Sequence, residues 1–192
     1  MVDIPHEWVR ECQEGNVQAF ADIVGACEKP LLSFVYRLLY NSPSGRDPED
    51  VVQEIFLKAY VGIGKFDLRR EKRFDCWLFA VARNHCISLL RRRRAEDEAT
   101  DLGEDGLEGL ADTASPDPRE ALWERDVSRR VADTVSALPE KLKSAFILRH
   151  YEGMSYQDVA AVMGCRIGTA KSRVARARET LARELEGLSV AP

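Results

Sequence analysis

Residues 95–117, AEDEATDLGEDGLEGLADTASPD, combine carboxylates, Gly and Pro with no sustained apolar period. Such a stretch buries too little apolar surface to offset the entropy of ordering it, so it reads as a flexible linker. It splits the 192 residues into an N-terminal module, 1–94, an acidic connecting segment, 95–125, and a C-terminal module, 126–192. Helical signals resume near Pro118 and continue through Leu122, Val127, Val131 and Val135. No period-two alternation of useful length occurs, and the predicted architecture is all-α: an N-terminal helical bundle and a small C-terminal helical domain.

In the C-terminal module, SYQDVAAVMGCRIGTAKSRVARAR, Ser155 to Arg178, reads as two short helices joined by a Gly-centred turn. Ser155 and Asp158 form an S-x-x-D start signal. Val159, Ala160, Val162 and Met163 give the first helix its apolar face, Gly164 supplies a left-handed stop, and the next helix should begin near Ile167. There Ala170, Val174, Ala177 and Leu181 recur at helical spacing and face the core. Thr169, Ser172, Arg173 and Arg176 point away, with Lys171 and Arg178 flanking the stripe. A helix with short polar residues between cations can enter the major groove, reading base edges while longer side chains reach phosphate. The plainer alternative is a solvated, charged helix face.

Charge distribution bears on that choice. Lys65 to Arg94 holds ten Lys/Arg against three Asp/Glu, a balance of +7, ending in the run Arg91, Arg92, Arg93, Arg94. Ala95 to Asp126 holds twelve Asp/Glu against two Arg, a balance of −10, and Arg166 to Arg183 six Lys/Arg against one Glu, a balance of +5. Two basic surfaces separated by an acidic connector suit a protein that touches a polyanion at two places.

The N-terminal module shows an apolar stripe at Phe20, Ile23, Val24 and Cys27, and another after Pro30 at Leu31, Phe34, Val35, Leu38 and Leu39. The next helix starts clearly: Asp47 as cap, Pro48 at the first position, then Glu49 and Asp50 in the positive first turn. Its buried face includes Val52, Ile55, Phe56 and Ala59. Asp50, Gln53 and Glu54 share the other side, a patch suited to Arg or Lys of a partner helix.

No apolar run approaches the ~18 residues or more of a membrane span, and MVDIPHEW lacks a signal peptide's basic and apolar regions, so a soluble cytoplasmic protein is expected. Five separated cysteines, Cys12, Cys27, Cys76, Cys86 and Cys165, argue against a disulfide framework. Cys76, His85 and Cys86 are too loosely spaced to read as a metal site. There is no Gly-rich phosphate loop or nucleophile elbow, and His6, His85 and His150 stand in unrelated contexts; neither an enzyme nor a cofactor is expected.

DPEDVVQEIFLKAY, then FDLRREKRFDCWLFAVARNHCISLLRRRR, then the acidic linker, then LPEKLKSAFILRHYEGMSYQDVAAVMGCRIGTAKSRVARAR resembles, in order and spacing, a bacterial extracytoplasmic-function sigma factor of the sigma-70 family. The resemblance implies a specificity subunit that binds core RNA polymerase and directs initiation at promoters. It implies docking on the coiled coil of the largest polymerase subunit through Asp50, Gln53 and Glu54, with Phe56 and Tyr60 in support, and a further contact with the flap of the second-largest subunit. It implies recognition and melting of the −10 element by Trp77, Arg83 and Asn84, with Arg69, Arg70, Lys72, Arg73 and Arg91 to Arg94 along the strand's phosphates. Phe74 and Phe79 are further aromatic surfaces, some of which must be core. It implies reading of the duplex −35 element by Arg166, Thr169, Lys171, Ser172, Arg173, Arg176 and Arg178, and an anti-sigma factor as inhibitor. Arg166 and Ala170 depart from the family's usual Pro or small hydroxyl residue and bulkier residue, which changes the expected upstream preference. Glu96, Asp97, Glu98, Asp101, Glu104 and Asp105 in the linker are candidates for mimicking nucleic acid. Two rival readings remain open: a stand-alone helix-turn-helix repressor, and a sigma-like adaptor that sequesters a regulator.

Overall fold

The computed structural model describes residues 2–42, 45–69, 73–99 and 118–186, without the side chains of 97–99 and 118–127. Arg70, Lys72 and the linker carboxylates Asp101, Glu104 and Asp105 lie outside the described residues, as do the side chains of Asp97 and Glu98. The described elements are α1 (His6–Gln13), α2 (Val17–Leu39), α3 (Pro48–Gly62), a 3-10 turn (Ile63–Lys65), α4 (Phe74–Ala99), α5 (Pro118–Ala137), α6 (Glu140–His150), α7 (Tyr156–Val162) and α8 (Ile167–Leu185).

Helix α1 has no counterpart in the sequence reading, because its eight residues bury only Val9 and Cys12. Its last residue nonetheless braces the end of α3: Gln13 Nε2 donates to the carbonyls of Ile63 at 2.9 Å and Phe66 at 2.8 Å, fixing the chain as it leaves that helix. Helix α2 opens on Asn16, whose side chain accepts from the Gln18 and Ala19 N–H groups. The two stripes expected on either side of Pro30 belong to one continuous helix of 23 residues. An interior Pro removes one ladder hydrogen bond and costs about 3 kcal/mol. Cys27, Leu31, Phe34, Val35 and Leu38, all at 0–1% exposure, offset it, since each large buried side chain contributes about 1.5–3 kcal/mol. Helix α3 starts as read: Asp47 accepts from the Glu49 N–H at 2.9 Å and Pro48 occupies the first turn.

Helix α4 runs through Ala99, beyond the expected module boundary at 94. The spacing of RRRRAEDEA explains this. Arg92 precedes Glu96 by four residues, so a carboxylate one turn on relieves part of the repulsion of the arginine run. Helix α5 likewise begins at Pro118, inside the segment 95–125.

Helices α2, α3 and α4 pack on one another with α1 against α2, while α8 packs across α6 and α7. The two modules also meet directly, α4 against α7 and α2 against α5 and α6, and their buried side chains form one contiguous cluster. In that junction Lys143 is 6% exposed. Among the described residues its Nζ reaches only the Tyr40 carbonyl, at 3.5 Å. Burial, with Arg94 nearby, pushes its pKa down to about 8.

A lysine holding its proton less tightly in the native state than when unfolded destabilises the fold while both are charged. The wild type therefore gains stability as pH rises from about 8 toward the ordinary lysine value of about 10.4. Lys143→Met is expected to be the more stable protein at pH 7, by up to about 3 kcal/mol at 1.36 kcal/mol per pKa unit. Denaturant unfolding of both proteins at pH 7 and pH 10 checks it: the gap between them should narrow at the higher pH. A gap independent of pH would contradict a buried, charged Lys143.

Candidate nucleic-acid interface

The helix-turn-helix has the geometry its sequence specifies. Ser155 Oγ accepts from the Asp158 N–H at 3.2 Å, and Asp158 Oδ2 accepts from the Ser155 N–H at 3.3 Å, closing a reciprocal cap at the start of α7. Gly164 takes φ +58, a left-handed conformation that disfavours any residue with a Cβ. Helix α8 begins at Ile167 and buries Ala170, Val174, Ala177 and Leu181, at 0–5% exposure. Arg166, Lys171, Ser172, Arg176 and Arg178 are exposed, and Thr169 and Arg173 half-exposed. Arg166 is the backbone cap of α8, its carbonyl accepting from the Thr169 and Ala170 N–H groups, so its side chain stands at the mouth of the helix. Behind it the Tyr156 ring carries Arg149 at 4.9 Å and Lys171 at 5.8 Å, a cation–π arrangement that steadies both charges.

On α4 the structure sorts the aromatic candidates. Phe74 and Phe79, at 1% and 3% exposure, are core residues: Phe74 meets Phe66 edge-on at 5.2 Å, and Phe79 meets Phe34 at 5.3 Å. Neither is a surface on which a base stacks. Trp77 is half-buried, held between Phe66 at 5.7 Å and Phe74 at 5.2 Å, and its ring would lie 3.4 Å from a Cβ on Gly62. Asn84 is exposed and lines a pocket of about 450 Å³ with Lys58, Val81, His85, Ser88, Leu89 and Arg92. Arg69 is exposed, its N–H held by Asp67 Oδ1 at 2.9 Å, and Arg91 to Arg94 are exposed along the later turns of α4. Arg73 is held by Asp75 through Nε at 3.0 Å and Nη2 at 2.6 Å, and Arg83 keeps only 12% of its side chain exposed.

On α3, Asp50 and Gln53 are exposed and Glu54 partly so. Phe56 lies on the buried face that the periodicity predicts, which corrects the supporting docking role that the resemblance implies for it. At 8% exposure it belongs to the core, against Phe20 with ring centroids 6.4 Å apart, and offers no surface to a partner. Tyr60 does, at 43% exposure, supported edge-on by Phe20 at 5.0 Å. Leu57 and Val61, at 67% and 82% exposure, extend the same ridge. Sequence reasoning missed them, although apolar residues four and eight positions after Gln53 on a polar face were a legible signal.

It also missed His85. His85 Nε2 lies 2.9 Å from Glu54 Oε2, and Arg46 pairs with the other oxygen, so one carboxylate joins α3 to α4. Burial lowers the His85 pKa, against the raising effect of the Glu54 bond. Burial raises the Glu54 carboxyl, but the bonds from Arg46 and His85 outweigh it and hold its pKa below the usual range. The carboxylate at the centre of the ridge is thus ionised and oriented before any partner arrives.

Residues 23–96 match the family model of sigma-70 region 2, and residues 128–181 that of sigma-70 region 4. The chain is 34% identical to the RNA polymerase sigma-H factor of Pseudomonas aeruginosa, over 94% of this chain and 93% of that protein. It is 33% identical to the ECF RNA polymerase sigma-E factor of Escherichia coli, again over 94% of this chain and 93% of that protein. The chain belongs to the sigma-70 family, in its extracytoplasmic-function group. Its structure is similar to that of the sigma factor RpoE in complex with the anti-sigma factor NepR from Bartonella quintana, with a TM-score of 0.68 and 29% identity, covering 87% of this chain and 96% of that one. In this sigma factor no helix among the described residues is long and apolar enough to cross a membrane, and no three His, Cys, Asp or Glu residues gather as metal ligands among them.

The correction at Phe56 separates docking from folding. Phe56→Ala is expected to cost about 3–5 kcal/mol of stability, whereas Asp50→Ala and Gln53→Ala should weaken binding to core polymerase with thermal stability nearly unchanged. Parallel melting curves and core-binding titrations test this; a Phe56→Ala protein that keeps its melting temperature yet no longer binds core would restore Phe56 to the docking surface.

Proposed function

We propose that this chain is the detachable specificity subunit of a bacterial RNA polymerase, acting in the cytoplasm. It docks through Asp50, Gln53, Glu54 and Tyr60 on the coiled coil of the largest subunit, and through its C-terminal module on the flap of the second-largest subunit. It brings promoter DNA to the catalytic centre, and polymerisation chemistry belongs to the core enzyme. One observation carries the reading: two cationic helices, α4 and α8, stand on either side of the acidic connector in the order of sigma-70 regions 2 and 4, on a chain that also presents an acidic docking ridge.

The division of labour follows from the side chains. Helix α8 presents Arg166, Thr169, Lys171, Ser172, Arg173, Arg176 and Arg178 to duplex DNA at the −35 element, short residues admitting the helix and long cations reaching base edges and phosphates. Helix α4 and the segment before it act at the −10 element. Separating a base from its stack costs a few kcal/mol, recovered when a pocket receives the base. The Asn84 amide, which lines the pocket between α3 and α4, pairs with a base's polar edge, and Trp77 offers the edge of a rigid, braced ring. Arg69, Arg70, Lys72, Arg73 and Arg91 to Arg94 follow the strand's phosphates without reading sequence. An anti-sigma factor is the proposed inhibitor, supported by the Bartonella quintana relative having been solved with one. A stand-alone repressor leaves the acidic ridge and the Asn84 pocket without a use, and an adaptor leaves both cationic helices without one.

Core polymerase mixed with the purified chain and a promoter library, followed by sequencing of run-off transcripts, tests the reading: initiation selected by sequence is expected, and initiation no more selective than core alone would refute it. In the same assay Asn84→Ala should impair strand opening more than recruitment. Arg176→Ala should weaken closed-complex affinity by about 1–3 kcal/mol if it reads a base. Equal losses of closed-complex affinity for the two variants would contradict the division.

A further inference from the structure

One hydrogen bond joins the docking ridge to the pocket that Asn84 lines. Helix α3 contributes to both, with Glu54 on the ridge and Lys58, one turn on, in the pocket wall. On α4, His85 follows Asn84 in the chain and lines the same pocket. Its Nε2 meets Glu54 Oε2 at 2.9 Å, and Arg46 pairs with Oε1. Against the effect of burial, the bonds from Arg46 and His85 keep Glu54 ionised. An ionised carboxylate only accepts, so the hydrogen of this contact sits on Nε2. Burial, with Lys58 and Arg46 nearby, lowers the His85 pKa against the raising effect of the Glu54 bond. The ring is therefore uncharged at neutral pH, and Nδ1 carries no proton.

We propose that His85 is a positioning residue for strand opening: Glu54 fixes its ring by accepting from Nε2, and the ring so held forms the pocket wall beside Asn84 against which a separated base is received. The inference rests on the reading of this pocket as the strand site at the −10 element, and it gives Glu54 a second duty besides docking. Asn84 makes the pairing contact, and His85 acts through the shape of the pocket.

Stability alone does not account for the pair. Glu54 keeps 39% of its side chain exposed, and a polar contact with one partner so exposed contributes little to folding. His85 keeps only 10%, so its ring is packed in the seam between α3 and α4. An apolar ring would fill that seam without a donor to satisfy. What the nitrogen adds is direction: one orientation of the ring and one tautomer. A site that receives a base gains from a wall fixed beforehand, because ordering it on binding would subtract from the affinity. The other polar side chains of the pocket do not supply this. Lys58 and Arg92 end in cations on flexible stems, suited to phosphates, and Ser88 spends its hydroxyl on the Asn84 carbonyl at 2.9 Å. Docking leaves the contact intact, since each carboxylate oxygen has two lone pairs and Glu54 can accept from a basic side chain of the polymerase while His85 keeps its bond.

The test uses the full-length chain assembled with saturating core polymerase on a promoter that the wild type selects. Permanganate reactivity of unpaired thymines reads opening, and titration with core reads docking. His85→Phe keeps a ring of similar size without the donor. It is expected to lower the equilibrium constant for opening about tenfold, with a smaller effect on core affinity and a melting temperature nearly unchanged. His85→Gln, whose amide nitrogen can donate to Glu54 in place of Nε2, should stay within about threefold of wild type. Glu54→Gln no longer dictates which ring nitrogen carries the hydrogen, and at saturating core it should lose opening to the same degree as His85→Phe. Combining His85→Phe with Glu54→Gln should cost no more than either alone, because both remove one interaction. Losses that multiply to about a hundredfold would overturn the inference, as would a loss confined to core affinity. If His85→Phe melts early, Glu54→Gln on the exposed side of the pair carries the comparison, and normal opening by that variant counts against the role of His85. Asn84→Ala separates this inference from the reading beneath it. Impaired opening by Asn84→Ala beside normal opening by His85→Phe keeps the pocket and removes His85 from it, whereas normal opening by Asn84→Ala removes the pocket itself.

Discussion

The burial of one face of α4 is the constraint on which the rest of the molecule depends. Leu78, Phe79, Ala82 and Cys86, at 0–3% exposure, lock this helix against α2 and α3, and large apolar side chains buried this fully contribute about 1.5–3 kcal/mol each. The axis is therefore fixed, and everything on the remaining faces is positioned by it: Asn84 at the rim of its pocket, His85 against Glu54, Arg83 toward the C-terminal module and the arginine run beyond. A helix that must hold a melted strand has to be rigid before the strand arrives, because ordering it on binding would subtract from the affinity.

The same rigidity makes the three surfaces of the protein interdependent. Glu54 lies on the proposed docking ridge and is bonded to His85 of α4, next in sequence to Asn84. Helix α8 is fixed through its apolar stripe on α6 and α7, and those two helices carry Glu140 and Asp158 to the basic side of α4. The proposed strand-binding, duplex-binding and docking surfaces are thus joined through one buried apolar cluster that runs across both modules. Apolar burial holds the modules together, while ion pairs of modest strength lie along the seam.

Much of this was legible in the sequence, and the reasons differ by element. The helix-turn-helix is written in local chemistry: Ser155 and Asp158 cap within three residues, Gly164 needs its left-handed φ, and Ala170, Val174, Ala177 and Leu181 keep a strict helical period. Helix α3 is equally local, with Asp47 and Pro48 at its start. What failed to show depends on contacts between distant segments. The stripes before and after Pro30 read separately because its cost is local while the burial that outweighs it is tertiary. The resemblance paired Phe56 with Tyr60, yet Phe20 helps bury the one, as the helical period predicted, and only props the other. The bond from His85 to Glu54 spans 31 positions, and the meeting of Arg83 with Glu140 joins modules that the acidic connector had suggested were independent.

Strand separation is where the account is most exposed, since a docking ridge or a duplex reader alone would not produce it. Permanganate footprinting of a promoter selected by the assembled enzyme measures it directly, through the reactivity of unpaired thymines just upstream of the start site. The account predicts reactive thymines there with core polymerase and this chain together, fewer when Asn84 is replaced by Ala, and none with either component alone. Protection of the upstream duplex with no reactive thymine at the start would mean that the chain binds promoters without opening them, and would contradict the role given to α4.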